Sequence, residues 1–196
     1  METVLYIRQP EVHVRGTCCV HLDEATVLTE DREADADVWL ESFVPERTLA
    51  AARRLRRPVL NSLWLEERYW QAYEAALGEG LFRSIVLVPY EPGADRQDYD
   101  RNVERLFAYA ERYGLGREAC IVDLALLPHR KLPVLDEYRR RLARLSEMNL
   151  RSVAAFDNYI HGADDKRDKL RQLKDALGGG GLKYALIRAK YAGVLE

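Results

Sequence analysis

Three places in the second half of the chain bring carboxylates and imidazoles together at the end of an apolar, β-branched stretch. Glu91 and Asp95 follow residues 84–88, Asp123 lies at the end of residues 119–124 with His129 shortly beyond, and Asp157 and His161 follow residues 152–156. Carboxylate and imidazole are the groups that move protons near neutral pH and that ligate divalent metals. If the stretches are parallel strands, the residues just past them meet at one edge, where ligands of open α/β sheets collect. Asp123, Asp157 and His161 are therefore the candidate catalytic residues, and Glu91, Asp95, His129 and Arg130 the candidate binding residues. The donor set suits a divalent metal, but no HxH or HExxH spacing singles out ligands, and no other cofactor is indicated. The plainer account is that the acids cap turns and helices while the two histidines are solvated.

The elements that would position these residues alternate regularly. Beyond Gly78-Glu79-Gly80 the pattern predicts strands at 84–88, 119–124, 152–156 and 184–187, separated by helices at 97–113, 134–147 and 166–177. Such alternation implies an α/β fold, a mostly parallel sheet with helices on both faces. The four glycines 178–181 follow a helix rather than precede one, so they end it instead of cradling a phosphate. Before the boundary the chain reads as a smaller, strand-rich α/β part: strands at 3–7, 12–22, 27–29 and 37–43, a helix after Pro45, a short strand at 58–61 and an aromatic helix from Ser62. Two domains are expected, 1–78 and 79–196. On the aromatic helix Trp64 and Trp70 are six positions apart, about 240° around its axis. One of them is expected to meet a protein partner or a second copy of the chain.

Composition narrows the function classes. The chain has 196 residues, 47% of them hydrophobic and 32% charged, a globular balance. Thirty Lys+Arg against 32 Asp+Glu leave a net charge of −2, so DNA is a candidate partner that net charge does not support, and anionic membranes have no field to act on. The basic runs 53–57 and 139–141 sit among acids and read as solvated helix faces. No apolar run is long enough to span a membrane, and the first residues lack a basic region followed by an apolar one. Three cysteines, two of them adjacent at Cys18-Cys19, make no disulfide framework and fit a reducing, cytoplasmic setting as buried small hydrophobes. His13 and His21 read as one face of a half-exposed strand. Neither GxGxxG nor GxxxxGK[ST] occurs.

The stretches IVLVPYEPGADRQ, DRNVERLFAYAERYGL, ACIVD, HRKLPVLDEYRRRLARL and SVAAFDNYIHGADDKRDKL follow one another in the order of a known catalytic domain. Over residues 82–188 the chain resembles the serine recombinases, the resolvase and invertase family. Under that resemblance the nucleophilic serine falls at Gly93, and the family's arginines fall at Glu91, Asn158 and His161, while Asp157 and Arg130 match. The resemblance implies a scaffold without covalent chemistry, because glycine has no hydroxyl to attack a phosphodiester. The expected function is a non-catalytic, recombinase-like protein acting through protein or DNA contacts. The alternatives are a metal-assisted hydrolase or phosphoryl-chemistry enzyme using the Asp/His edge, and a nucleotide or small-ligand sensing module. Residues 25–70, with ATVLTEDREADADVWLESF, RTLAAARRL and RPVLNSLWLEERYW, are similar to a BRCT module.

Overall fold

The computed structural model describes residues 1–25, 27–31, 35–91, 93, 98–127 and 135–195. Eight strands run parallel and close on themselves: β1 (Glu2–Ile7), β3 (Cys18–His21), β5 (Val38–Glu41), β6 (Pro58–Leu63), β7 (Ser84–Leu87), β8 (Cys120–Asp123), β9 (Arg151–Ala155) and β10 (Tyr184–Arg188). They follow sequence order around the barrel, and β1 seals it by pairing with β10 on one side and β3 on the other. Between β5 and β10 every connection carries a helix: α1 (Pro45–Ala52), α2 (Glu67–Gly78), α3 (Tyr99–Arg112), α4 (Leu135–Glu147), and the pair α5 (Phe156–Tyr159) and α6 (Lys166–Gly178). The first two connections instead contribute β2 (Glu11–Val14) and β4 (Val27–Glu30), which pair with each other outside the barrel.

Alternation along each strand divides the apolar residues between two cores. Val4, Cys19, Trp39, Val59, Val86, Ile121, Val153 and Tyr184, one from each barrel strand, fill the interior, where the Trp39 and Tyr184 rings meet edge-to-face at 5.2 Å. Their neighbours Val20, Leu40, Leu60, Ile85, Val122 and Ala154 point outward to the helices and to Val12 and Val14 of β2. Leu106, Leu142 and Leu173 of α3, α4 and α6 are buried in that outer core. Asp98 caps α3 by accepting from Arg101 N, and Asp165 caps α6 by accepting from Asp168 N, both at 3.1 Å.

The α/β class and the parallel sheet are as expected, but the sheet is closed rather than open. Its helices lie on the outer face alone, because closure turns the inner face into a side-chain core. Closure also overturns the recombinase-like reading of residues 82–188, since β7 to β10 are half of a barrel whose other half is β1, β3, β5 and β6. The BRCT-like reading of residues 25–70 falls likewise, as β5 and β6 are barrel staves. The turn at Gly78–Gly80 joins α2 to β7, and β6 and β7 on either side of it are hydrogen-bonded neighbours. Gly93 has φ +79°, a conformation that glycine takes without steric cost, so a glycine there is explained by the backbone.

Two local expectations also change. Residues 12–22 are not one strand: β2 and β3 lie in different sheets, so His13 and His21 do not share a face. The chain from Ser62 is still strand, and α2 begins only at Glu67. Trp64 therefore precedes the helix, its ring edge-on to Tyr90, whereas Trp70 is fully buried, stacked at 5.5 Å on both Tyr109 and Tyr113. Among the described residues no helix is long and apolar enough to cross a membrane.

Candidate functional site

Two positions beyond each interior apolar residue, the strands reach the carboxyl-terminal mouth of the barrel. The residues there are Tyr6, His21, Glu41, Asn61, Val88, Asp123, Ala155 and Leu186. Five are polar, and they cluster around two carboxylates.

Glu41 is held by neutral donors. Tyr6 Oη donates to Oε1 at 3.2 Å and Asn61 Nδ2 to Oε2 at 3.1 Å, while the Cys19 thiol below lies 3.9 Å from Oε2 and 3.5 Å from Asn61 Nδ2. Burial raises the Glu41 pKa, and His21 and the Tyr6 hydroxyl oppose the rise. Burial, followed by the Glu41 charge, also raises the Tyr6 phenol and the Cys19 thiol, so both keep their protons.

Asp123 sits in a turn pinned from two helices. Its Oδ1 accepts from Ala125 N at 2.6 Å, and its main-chain oxygen accepts from Tyr99 Oη at 3.0 Å. The buried Arg141 of α4 donates to Leu124 O at 2.9 Å and Ala125 O at 3.4 Å. Asp123 Oδ2 has no hydrogen-bond partner among the described residues. Burial pushes the carboxyl up to about 6, with Ala125 N–H and Arg141 opposing and Glu41 adding to the rise. Burial raises both carboxyls, and the Glu41 charge adds to the rise at Asp123. Such perturbed groups concentrate at functional sites, and in barrels of this kind the site lies at this end.

The rim beside Glu41 is aromatic. His21 meets Tyr6 at 6.2 Å and Phe43 at 6.3 Å, both edge-to-face, and Phe43 is 82% exposed. Its backbone is fixed by Asp23, which accepts from Phe43 N at 3.1 Å and Ser42 Oγ at 2.6 Å.

Of the residues singled out from sequence, Asp123 stands in this mouth. Asp157, on α5, is engaged by Arg188: the backbone N donates to Oδ2 at 2.8 Å, and Nε lies 3.1 Å from Oδ1 as an ion pair short of hydrogen-bond geometry. His161 is exposed in the turn after α5, and no hydrogen bond or ion pair joins it to either aspartate among the described residues. Glu91 pairs with Arg105 at 2.7 Å, which holds its carboxyl below the usual range. Asp95, His129 and Arg130 lie outside the described residues. Among the described residues no three His, Cys, Asp or Glu side chains are arranged to hold a metal ion. The basic runs are offset by acids: Arg57 pairs with Asp35 and Asp37, Arg139 with Asp136, and Arg140 with Glu137 and Asp100. Sequence reasoning missed Tyr6, Glu41 and Asn61.

No protein-family model matches the chain, and no curated protein matches it. Solved structures do. Dihydropteroate synthase from Coxiella burnetii with bound pteroic acid superposes with a TM-score of 0.67 at 8% identity, covering 99% of this chain and 90% of that one. The Stenotrophomonas maltophilia dihydropteroate synthase with imidazole in its active site gives 0.61 at 14%, with the same coverage. The Xanthomonas albilineans dihydropteroate synthase with 7,8-dihydropteroate gives 0.60 at 12%, again over 99% and 90%. At these identities the likeness establishes the fold, an eight-stranded parallel barrel, and not the family. It overturns the recombinase-like and BRCT-like resemblances, and with them the non-catalytic role through protein or DNA contacts. The metal-assisted alternative has no group of three ligating side chains behind it among the described residues.

Proposed function

We propose that the chain is a barrel enzyme whose active site is the mouth around Glu41, Asn61 and Asp123, and whose substrate is a planar heterocycle of the pterin class. The chemistry of the mouth supports this reading. A 2-amino-4-oxo pyrimidine ring presents a ring N–H beside an exocyclic amino group, a pair of donors that one carboxylate accepts side by side. Asp123 suits that role, with Oδ1 fixed by a backbone N–H and Oδ2 unbonded. Asn61, whose Nδ2 donates to Glu41 and faces the Cys19 sulfur, offers its Oδ1 as an acceptor for an N–H of the ring. Glu41, half-buried and held by neutral donors, has its carboxyl raised above the usual range, which suits it to proton transfer to or from a bound ring.

The fold adds a second line of support, since structural neighbours at full coverage hold pteroic acid and 7,8-dihydropteroate. The observation that carries the reading is the pairing, in one barrel mouth, of an open Asp123 carboxylate with the Tyr6–Glu41–Asn61 cluster.

The experiment is a titration with pterin beside lumazine, which carries an oxo group where pterin carries the 2-amino group. Pterin is expected to bind at least tenfold more tightly, with Asp123→Asn removing most of the difference. Equal binding of the two compounds, or no binding of pterin, would overturn the reading.

A further inference from the structure

Asp123 is held in its turn by one buried cation that never touches it. Arg141 is 8% exposed, and its guanidinium lies over the Tyr99 ring at 4.5 Å and near the Tyr138 ring at 5.4 Å. Its Nε donates to Glu137 Oε1 at 3.1 Å, and its Nη1 is spent on the Leu124 and Ala125 carbonyls. Those carbonyls belong to a strained turn: Ala125 has φ +53°, a region L-residues other than glycine and asparagine seldom enter. Within the same turn Ala125 N donates to Asp123 Oδ1, 2.6 Å away. The same two aromatics serve the same loop. Tyr99 Oη donates to Asp123 O, and Tyr138 Oη accepts from Leu127 N at 2.9 Å.

We propose that Arg141 is the positioning residue of the active site: lying beside Tyr99 and Tyr138 and holding the Leu124 and Ala125 carbonyls, it fixes the Asp123 carboxylate where it accepts from substrate. The proposal rests on the reading of Asp123 as a substrate-binding group. Arg141 acts in two ways. It holds Ala125 N–H on Oδ1, and it supplies the positive charge facing Asp123 from α4. The other charged or titratable groups facing Asp123 are Glu41 from β5, which opposes ionisation, and the Tyr99 phenol from α3, while Glu137 on α4 itself balances the guanidinium. A lysine could keep the charge but not the planar guanidinium that reaches Glu137 through Nε and the two carbonyls through Nη1 while lying beside two rings.

The test reads Asp123 directly, by carbon-detected NMR titration of its carboxyl in ligand-free protein, in wild type, Arg141→Lys, Arg141→Met and Tyr99→Phe. Wild-type Asp123 is expected to titrate at about 6. Arg141→Met is expected to move the midpoint up by about one pH unit, a tenfold change in proton affinity. Arg141→Lys should give a smaller upward shift, with the Ala125 amide losing its protection from hydrogen exchange. Tyr99→Phe, which removes one hydroxyl and leaves the clamp, should move it least. A role confined to stability would lower the melting temperatures and leave the midpoint unmoved, and an unmoved midpoint in a folded Arg141 variant overturns the proposal. If Arg141→Met does not fold, Arg141→Lys decides on the same criterion. Pterin binding measured on the same samples separates the two claims. A shifted midpoint without pterin binding would sink the proposed function, and the substrate-binding part of the proposal with it, while the clamp on Asp123 would stand as a structural fact.

Discussion

The two ends of the barrel use the same kinds of side chain to opposite effect. At the amino-terminal end, charge meets countercharge: Asp37 lies 2.8 Å from Arg57 Nε and 3.2 Å from Arg83 Nε, Arg57 also reaches Asp35, and Arg151 donates to Ser84 Oγ and to the Glu118 carbonyl. At the mouth, Glu41 and Asp123 are met by a phenol, an amide and a backbone N–H, and the Arg141 guanidinium is spent on Glu137 and two carbonyls. A paired carboxylate is settled in its ionised form, whereas one buried among neutral donors titrates higher and stays available to a ligand. The bottom therefore carries matched charge pairs, while the mouth keeps two carboxylates that no cation pairs among the described residues.

The interior layer serves both ends, and removing its largest member should have the largest effect. Trp39→Ala is expected to cost about 3–5 kcal/mol, read as a clear drop in melting temperature and denaturant midpoint. A near-neutral result would mean that the barrel interior is not packed as described. At the mouth, Asp123→Asn is expected to weaken pterin binding by about tenfold to hundredfold, the scale of a lost hydrogen bond to a charged group. The fold should survive that change.

The same variant tests the electrostatics without any ligand. The folded Asp123 pKa of about 6 lies above its unfolded value, so its contribution to stability is full below about 4 and is lost as pH rises through 6. Relative to wild type, Asp123→Asn should therefore be more stable at pH 7 than at pH 4. Melting curves of both proteins across that range give the difference, and a flat difference would remove the claim that burial raises the Asp123 carboxyl. At the other end, Asp37→Asn should cost about 1 kcal/mol or less and leave pterin binding unchanged. An effect on binding larger than on stability would erase the contrast between the ends. The smallest effect is expected at the rim, where Phe43→Ala should leave the melting temperature unmoved and weaken pterin a fewfold, read by fluorescence quenching.

Much of this architecture is legible along the chain. The periodic second half predicts β7 to β10 and α3, α4 and α6 to within a residue or two, because each buries a face whose spacing is written locally. Closure is not local. β1 pairs with β10 from the opposite end of the chain, and strand–helix alternation looks the same in an open sheet and in a barrel. The first two units carry β2 and β4 where later ones carry helices, so the rhythm that exposes the second half is missing from the first. That also explains the recombinase resemblance, which followed an element order common to many α/β folds.

The site was half legible for the same reason. Asp123 stood out as an acid ending a strand, but Glu41 and Asn61 lay in what read as another domain. A signal was present nonetheless, since five strands carry an apolar residue, an outward-facing apolar residue and a polar one in succession: Val4-Leu5-Tyr6, Cys19-Val20-His21, Trp39-Leu40-Glu41, Val59-Leu60-Asn61 and Ile121-Val122-Asp123. The repeat places five polar groups at the same end of parallel strands, and it becomes readable once all five are taken as staves of one barrel.

The central claim is that the mouth binds a pterin-class ring through an ionised Asp123. Calorimetric titration of wild type and Asp123→Asn with pterin at pH 5, 6, 7 and 8 tests it most directly. The account predicts that wild-type affinity climbs as pH rises through about 6 and then levels, whereas Asp123→Asn binds weakly with no such climb. A wild-type affinity that is flat over this range, or a climb that persists in Asp123→Asn, would contradict it.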